Sequence, residues 1–351
     1  MISATRSPRL HNRTIVRALA MLLGSVTLAG AAPQTADPPH ASINSRMAGD
    51  LSPVHDPAII KQDGVYYLFT TAQEQDGGGL IHIRSSADLV TWKRSGAVFD
   101  AMPDWARTAV PGAVGIWAPD IAKVGDRYRV YYSISTFGKN RSAIGLATNA
   151  TLDPASPDYQ WRDEGVVFTS DSGDDFNAID PNLFVDDDGS QWLSFGSFWS
   201  GIKLFRIDPA TGKRAAGDST LHAIARRPSP GAVEAPFIVK RDGWYYQFVS
   251  FDFCCRGAKS TYFTVVGRSK AITGPYLDYK GRSMMKGGGL VVLHASLDDS
   301  KRFVGPGHVA ILRDGARDYI VHHAYDTTKD GAPTLRIQPL GWTPDGWPVA
   351  L

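Results

Sequence analysis

One phrase recurs five times along the chain, and it limits the possible folds more than any other feature. Its first copy reads His55-Asp56-Pro57-Ala58-Ile59-Ile60-Lys61-Gln62-Asp63-Gly64-Val65-Tyr66-Tyr67-Leu68-Phe69. An acid meets a proline, a short apolar strand follows, Asp-Gly turns the chain, and an aromatic strand returns. Asp-Gly between two apolar runs is a strong hairpin signal, because the turn needs positive φ. Later copies open on Trp117-Ala118-Pro119-Asp120-Ile121, Ile179-Asp180-Pro181-Asn182-Leu183, Glu234-Ala235-Pro236-Phe237-Ile238 and Gly305-Pro306-Gly307-His308-Val309. The polar residues Asp56, Asp120, Asp180, Glu234 and His308 follow one another at intervals of 54 to 74 residues. Strand-only repeats of that period predict an all-β, five-bladed β-propeller with one sheet per blade.

Each of the five polar residues is expected to open the innermost strand of its blade. All five would then converge on the axis at one mouth. The plainer reading is that they are turn acids, since Asp-Pro favours turns by itself. Turn acids, however, need not recur at the same place in every copy.

The chain has 351 residues, of which 43% are hydrophobic, enough for a packed core. The repeats run without a break, so one domain is expected over residues 51–351. Its blades are expected at about 54–99, 115–168, 177–221, 233–279 and 307 to the end. How the ring closes is open; the N-terminal segment is a candidate to lend a strand to the last blade.

The first 31 residues read as a secretory signal peptide. Arg6, Arg9, Arg13 and Arg17 precede an apolar run from Ala18 to about Leu28, and Ala29-Gly30-Ala31 offers a small-x-small cleavage site. A membrane anchor is the alternative, but the run is short for a span. A secreted protein is therefore expected, with no membrane association after cleavage. The leader holds four arginines and no acids, so its loss takes the net charge from +2 to −2. Neither value suggests a nucleic-acid partner. Residues 32–50 read as a disordered polar linker.

The only cysteines, Cys254 and Cys255, are adjacent. They cannot build a disulfide scaffold. They either close a strained small ring or remain as a thiol pair. Either way the segment should lie near the mouth.

Together these motifs resemble glycoside hydrolase family 43, and within it the arabinan-degrading enzymes. The general features are the His55–Ile60 hairpin start, Trp117–Ile121, Ile179–Gly189 and Val233–Ile238. Asn177–Asn182 followed by Gly196–Ile202, and the Ser250–Gly257 stretch with its paired cysteines, look like endo-arabinanases. The likeness covers about residues 50–351.

The resemblance implies endo-acting hydrolysis of α-1,5-linked L-arabinofuranosyl chains in plant cell-wall arabinan, or of arabino-oligosaccharides, with inversion, by a monomer. By motif, Asp56 is the general base, Glu234 the general acid, and Asp180 the residue that orients the acid and tunes its pKa. Trp117, Asp120, Gly138, Asn177, Ser197, Phe198 and Trp199, with the three carboxylates, are the implied substrate contacts. Asp120 is a mouth residue, in substrate or structural contact. His308 matches a histidine that helps to hold a cation in the axial channel, largely through water, and calcium is the expected ion. From the residues alone, His308 could equally be a hydrogen-bonded core histidine. The Asp186-Asp187-Asp188-Gly189 run lacks the spaced ligands of a calcium loop and reads as a hairpin turn.

The chemistry suits these residue types. An inverting glycosidase needs an acid for the leaving oxygen and a base for water on the opposite face, about 6.5–9.5 Å apart. A third carboxylate near the acid raises its pKa by repulsion. Trp117, Phe137, Trp199 and Phe253 offer flat faces for furanose rings, or simply pack blade cores. The alternatives are an exo-acting α-L-arabinofuranosidase or β-xylosidase of the same fold, and a non-catalytic sugar-binding propeller. The last would be expected to lack one of Asp56, Asp180 and Glu234.

Overall fold

The computed structural model describes residues 43–351. The expected signal peptide, and the expected linker as far as residue 42, lie outside the described residues. The rest forms five sheets arranged as the blades of a propeller. Blade one contains Ala58–Gln62, Val65–Thr70, Leu80–Ser86 and Thr91–Phe99. Blade two contains Gly115–Val124, Arg127–Ile134, Ser142–Asn149 and Arg162–Ser170. Blade three contains Asn182–Val185, Gln191–Phe195, Ile202–Ile207 and His222–Ala225. Blade four contains Val233–Arg241, Trp244–Phe251, Phe263–Ser269 and Leu290–Leu293. Blade five contains Phe303–Asp314, Arg317–Asp326, Ala332–Trp342 and Pro348–Ala350.

The first two strands of each blade are the hairpin that the repeat predicts. In blade one Asp63 and Gly64 both take positive φ, 49° and 83°, and Gln62 pairs with Val65 across them. Two left-handed turn residues match the twist of the strands they join, which is why Asp-Gly recurs there. Asp186–Gly189 forms the corresponding turn of blade three, with the Asp186 N–H donating to the Ser190 carbonyl at 2.8 Å. Apolar side chains from neighbouring blades meet between the sheets. Tyr131, Ile144 and Leu146 of blade two pack with Leu183, Leu193, Phe195 and Phe205 of blade three. Fully burying a residue such as Phe195 or Phe205 is worth about 1.5–3 kcal/mol.

Residues 43–50 differ from the expected linker. Ile43–Arg46 is a short helix, and Ala48–Gly49 pairs in parallel with Thr91–Trp92. The strand therefore joins blade one, not blade five. The following residues tie it to blade five, where Leu51 accepts from the Leu335 N–H and the Val54 N–H donates to Pro333, both at 2.9 Å. Packing of Ile43, Met47 and Leu51 against a core shared by blades one and five offsets the cost of ordering this segment.

At the acid-proline phrase or its equivalent, each blade holds a non-glycine residue in the left-handed region: Asp56, Ala118, Asp180, Ala235 and His308, with φ between 45° and 57°. Four of the five precede a proline, where this conformation is costly. In every blade the N–H of that residue is received by a side chain of the preceding blade. Ala118 donates to Thr71 Oγ1 at 2.8 Å, Asp180 to Ser133 Oγ at 2.9 Å, and His308 to Ser250 Oγ at 2.9 Å. Ala235 donates to Asp180 Oδ2 at 3.2 Å, and Asp56 to His323 Nδ1 at 3.2 Å. The last bond runs from blade one back to blade five and closes the ring of latches.

Aligned on these latches, the five polar residues are not equivalent. Asp56, Asp180 and His308 occupy the left-handed position itself. Glu234 lies one residue before it, and Asp120 two residues after it. The expectation of one shared position is corrected accordingly.

Candidate active site

A cavity of about 890 Å³ opens at the mouth. Asp56, Asp180, Glu234 and His308 all line it, as do Trp117, Gly138, Asn177, Ser197, Phe198 and Trp199. Phe137 and Phe253 line it too, and Phe137 is 81% exposed. Asp120 does not. Its Oδ2 accepts the backbone N–H of Leu183 in blade three at 2.7 Å. Asn182, at the equivalent place in blade three, accepts the N–H of Ile238 in blade four at 2.8 Å. Asp120 thus belongs to an inter-blade tie, not to the cavity wall. Two residues beyond the left-handed position, its side chain reaches the next blade instead of the axis. Burial pushes its carboxyl up to about 6, against hydrogen bonds from Leu183 and Asn182 that favour the charge.

The cavity carboxyls fall into two electrostatic classes. Burial would raise Asp56, but the charge of His308 and hydrogen bonds from His308 and His55 outweigh it. The Asp56 carboxyl is held well below the usual carboxylate range. Its Oδ1 lies 3.1 Å from His308 Nδ1, and its Oδ2 accepts from the Thr71 hydroxyl at 2.6 Å. Burial lowers His308, but Asp56 and the other two carboxylates more than reverse this and lift it to about 9.

Asp180 and Glu234 behave oppositely. Burial raises both. His308 pulls Asp180 back, while repulsion from Glu234 and Asp56 adds to the rise. Glu234 is pulled back by the Ser197 hydroxyl, which donates to its Oε2 at 2.7 Å. A backbone bridge between Ser197 and Glu234 holds that geometry. Near neutrality the buried pair therefore retains a proton, while Asp56 is ionised.

The wall is reinforced on the blade-four side. Cys254 and Cys255 are bonded to each other as a disulfide, so the ring form is the one present. Cys255 has φ 66°, and its N–H donates to Tyr325 Oη at 2.7 Å. Phe253 lies 6.0 Å from Phe198, ring centre to ring centre, and carries Arg256 above it at 4.2 Å. Asn177 is oriented by the Ser142 hydroxyl, which donates to its Oδ1 at 2.7 Å.

Calcium takes six to eight oxygen ligands. His308 offers one imidazole beside three carboxylates, with Asp56 already paired to it. Beside Asp56 the imidazole is raised towards its protonated form, so a calcium ion here would have to displace the Nε2 proton of His308, and would draw most of its shell from water. His55, Asp56 and His323 also lie close enough to share a metal. That group is rich in nitrogen, and His323 Nδ1 is already used by the Asp56 N–H, so it suits calcium poorly.

Thr71 and His323 were not singled out from the sequence. Their signal is there: a hydroxyl or imidazole at the end of a return strand, as in Thr71, Ser133, Ser250 and His323. It becomes visible only when the return strands, and not the acid-proline starts, are aligned.

A family model described as glycosyl hydrolases family 43 matches residues 52–348. The chain is 43% identical over 308 residues to an extracellular exo-α-(1→5)-L-arabinofuranosidase of Cellvibrio japonicus, covering 84% of this chain and 85% of that one. It is 42% identical over 297 residues to an extracellular endo-α-(1→5)-L-arabinanase of Bacillus subtilis, covering 84% and 87%. Among solved structures, the Cellvibrio cellulosa α-L-arabinanase complexed with arabinohexaose superposes with a TM-score of 0.79 at 41% identity, covering 86% of this chain and 96% of that one.

Proposed function

The chain belongs to glycoside hydrolase family 43, and from that premise we propose that it hydrolyses α-1,5-linked L-arabinofuranosyl chains of arabinan by a single inverting displacement. Asp56 is the general base. It takes a proton from water as the water oxygen bonds to the anomeric carbon. Glu234 is the general acid and gives its proton to the leaving oxygen as the glycosidic C–O bond breaks. Asp180 and Glu234 cannot both be charged at low cost, so the pair keeps one proton between them, and Asp180 holds it available to Glu234. The observation that carries this reading is the split inside one cavity: Asp56 is ionised, while Glu234 and Asp180 are pushed towards the protonated form. Carboxyls pushed apart in this way are the signature of an assigned acid and base.

The substrate class is supported by the relatives, whose names include both an endo-arabinanase and an exo-arabinofuranosidase at nearly equal identity. Endo action is favoured by the exposed rings of Phe137 and Trp199 at the cavity rim, on which further sugar units of a long chain can stack. Export is part of the reading. It rests on the basic-apolar leader and on relatives named as extracellular. Among the described residues no helix is long and apolar enough to cross a membrane. A calcium ion held by His308 and water would supply positive charge beside the three carboxylates. The enzyme acts as a monomer on cell-wall arabinan or its oligosaccharides.

The test is product analysis on linear arabinan with wild type and Glu234→Gln. Mixed oligosaccharides from the wild type and no cleavage by the variant are expected. Arabinose alone from the first minutes would favour the exo reading. Full activity in Glu234→Gln would remove the assignment of the acid.

A further inference from the structure

Thr71 follows the return strand of blade one and lines the cavity. Its hydroxyl has two partners with fixed roles. The Ala118 N–H, 2.8 Å from Oγ1, can only donate. The single hydroxyl proton is therefore left for Asp56 Oδ2, 2.6 Å away. An ionised carboxylate can only accept, so both ends set the same direction.

His55 Nδ1 lies 3.8 Å from Asp56 Oδ1, and three closer contacts hold Asp56. His323 receives its backbone N–H, His308 faces Oδ1 at 3.1 Å, and Thr71 donates to Oδ2. The first fixes the backbone. The last two fix the rotation of the carboxylate. Among the described hydrogen bonds, Thr71 is the latch hydroxyl that also donates to a cavity carboxylate. It joins Asp56 of blade one to the residue beside Trp117, on the cavity wall of blade two.

We propose that Thr71 is the positioning residue of the general base, fixing the rotation of the Asp56 carboxylate so that the same oxygen meets the attacking water in each turnover. This rests on the reading of Asp56 as the base. A misplacement of about 1 Å at a reacting group costs roughly a hundredfold in rate, whereas substrate contacts elsewhere are untouched. The defect should therefore appear in kcat and leave KM alone.

The experiment compares wild type, Thr71→Val, Thr71→Ala, Thr71→Ser and Asp56→Asn on an arabino-oligosaccharide, with thermal melts as a check on folding. Thr71→Val keeps the shape and removes the hydroxyl. Thr71→Ala leaves room for water at the Ala118 N–H and carries the same test if the valine variant does not fold. Both are expected to lose about 10- to 100-fold in kcat with KM within about threefold, as a misplaced base should. Thr71→Ser keeps both bonds and is expected to stay within about threefold of wild-type kcat. Asp56→Asn inactive with Thr71→Val or Thr71→Ala unimpaired in kcat would overturn this inference alone. Asp56→Asn still active would overturn the general-base reading beneath it. A loss in Thr71→Ser as large as in Thr71→Val would show that the hydroxyl is not the operative group.

Discussion

Replacing Ser197 by alanine tests the acid through a bond the structure defines. Glu234 must be protonated to act, so activity falls as pH rises past its pKa. The Ser197 hydroxyl donates to Glu234 Oε2 at 2.7 Å and so favours the charged form. Hydrogen bonds to charged groups are worth about 1.5–3 kcal/mol, and 1.36 kcal/mol corresponds to one pKa unit. Loss of the bond should therefore raise the pKa of Glu234 by about one to two units. A water molecule in the vacated space would replace part of the bond and favour the lower figure. The backbone bridge between residues 197 and 234 does not depend on the side chain, so Glu234 should keep its place. The assay is kcat/KM against pH on an arabino-oligosaccharide, for wild type and Ser197→Ala. The alkaline limb should move to higher pH while the acid limb, set by Asp56, stays. An alkaline limb that stays put or moves to lower pH would refute the reasoning.

Asp180→Asn should act in the opposite direction: the buried pair shares a proton, and with a neutral amide at 180 loss of that proton from Glu234 no longer creates two facing charges, so the alkaline limb should move to lower pH. The same variant tests linkage: Asp180 is raised above its unfolded value of about 3.9, so the folded state binds more protons and wild-type stability falls as pH rises through that window. Melts between pH 5 and 9 should show a shallower fall in Asp180→Asn. Asp120→Ala should cost about 1–3 kcal/mol by leaving the buried Leu183 N–H unpaired, measured by denaturant unfolding, with oligosaccharide affinity unchanged by calorimetry. Purified enzyme should carry calcium by elemental analysis, and chelation should lower the melting temperature, since an ion bound only to the folded form stabilises it; His308→Ala should abolish that response.

Much of the architecture was legible because a propeller repeats its instructions. Each hairpin start and its turn are written locally, in runs such as Asp56–Phe69 and Glu234–Phe248. Several elements escaped, among them His222–Ala225, which lies just past the expected end of blade three. Leu290–Leu293 is a short outer strand behind Gly287-Gly288-Gly289, and nothing local marks it as the fourth strand of blade four. Residues 43–50 look like linker because their order comes from tertiary pairing with blade one and packing against blade five.

The site was legible as a set of acids but not as a geometry. The acid-proline dipeptides mark the mouth. They do not reveal which residue takes positive φ, and this decides whether a side chain faces the axis or the next blade. Asp120 shows the difference: a one-dimensional repeat groups it with Asp56, whereas its carboxylate holds Leu183. The partners that set the charge states come from elsewhere in the chain. Thr71 lies 15 residues from Asp56, and Ser197 lies 37 from Glu234. No local pattern could have assigned them.

The central claim is a direct inverting displacement on arabinan, driven by Asp56 and Glu234. Proton NMR of the first turnovers on linear α-1,5-arabinan measures it most directly, since it reports cleavage and the configuration of the new reducing end together. The β anomer should appear first and equilibrate later to the α anomer. An α anomer formed first would require a covalent intermediate, and no reducing end at all would remove arabinan as substrate; either would contradict the account.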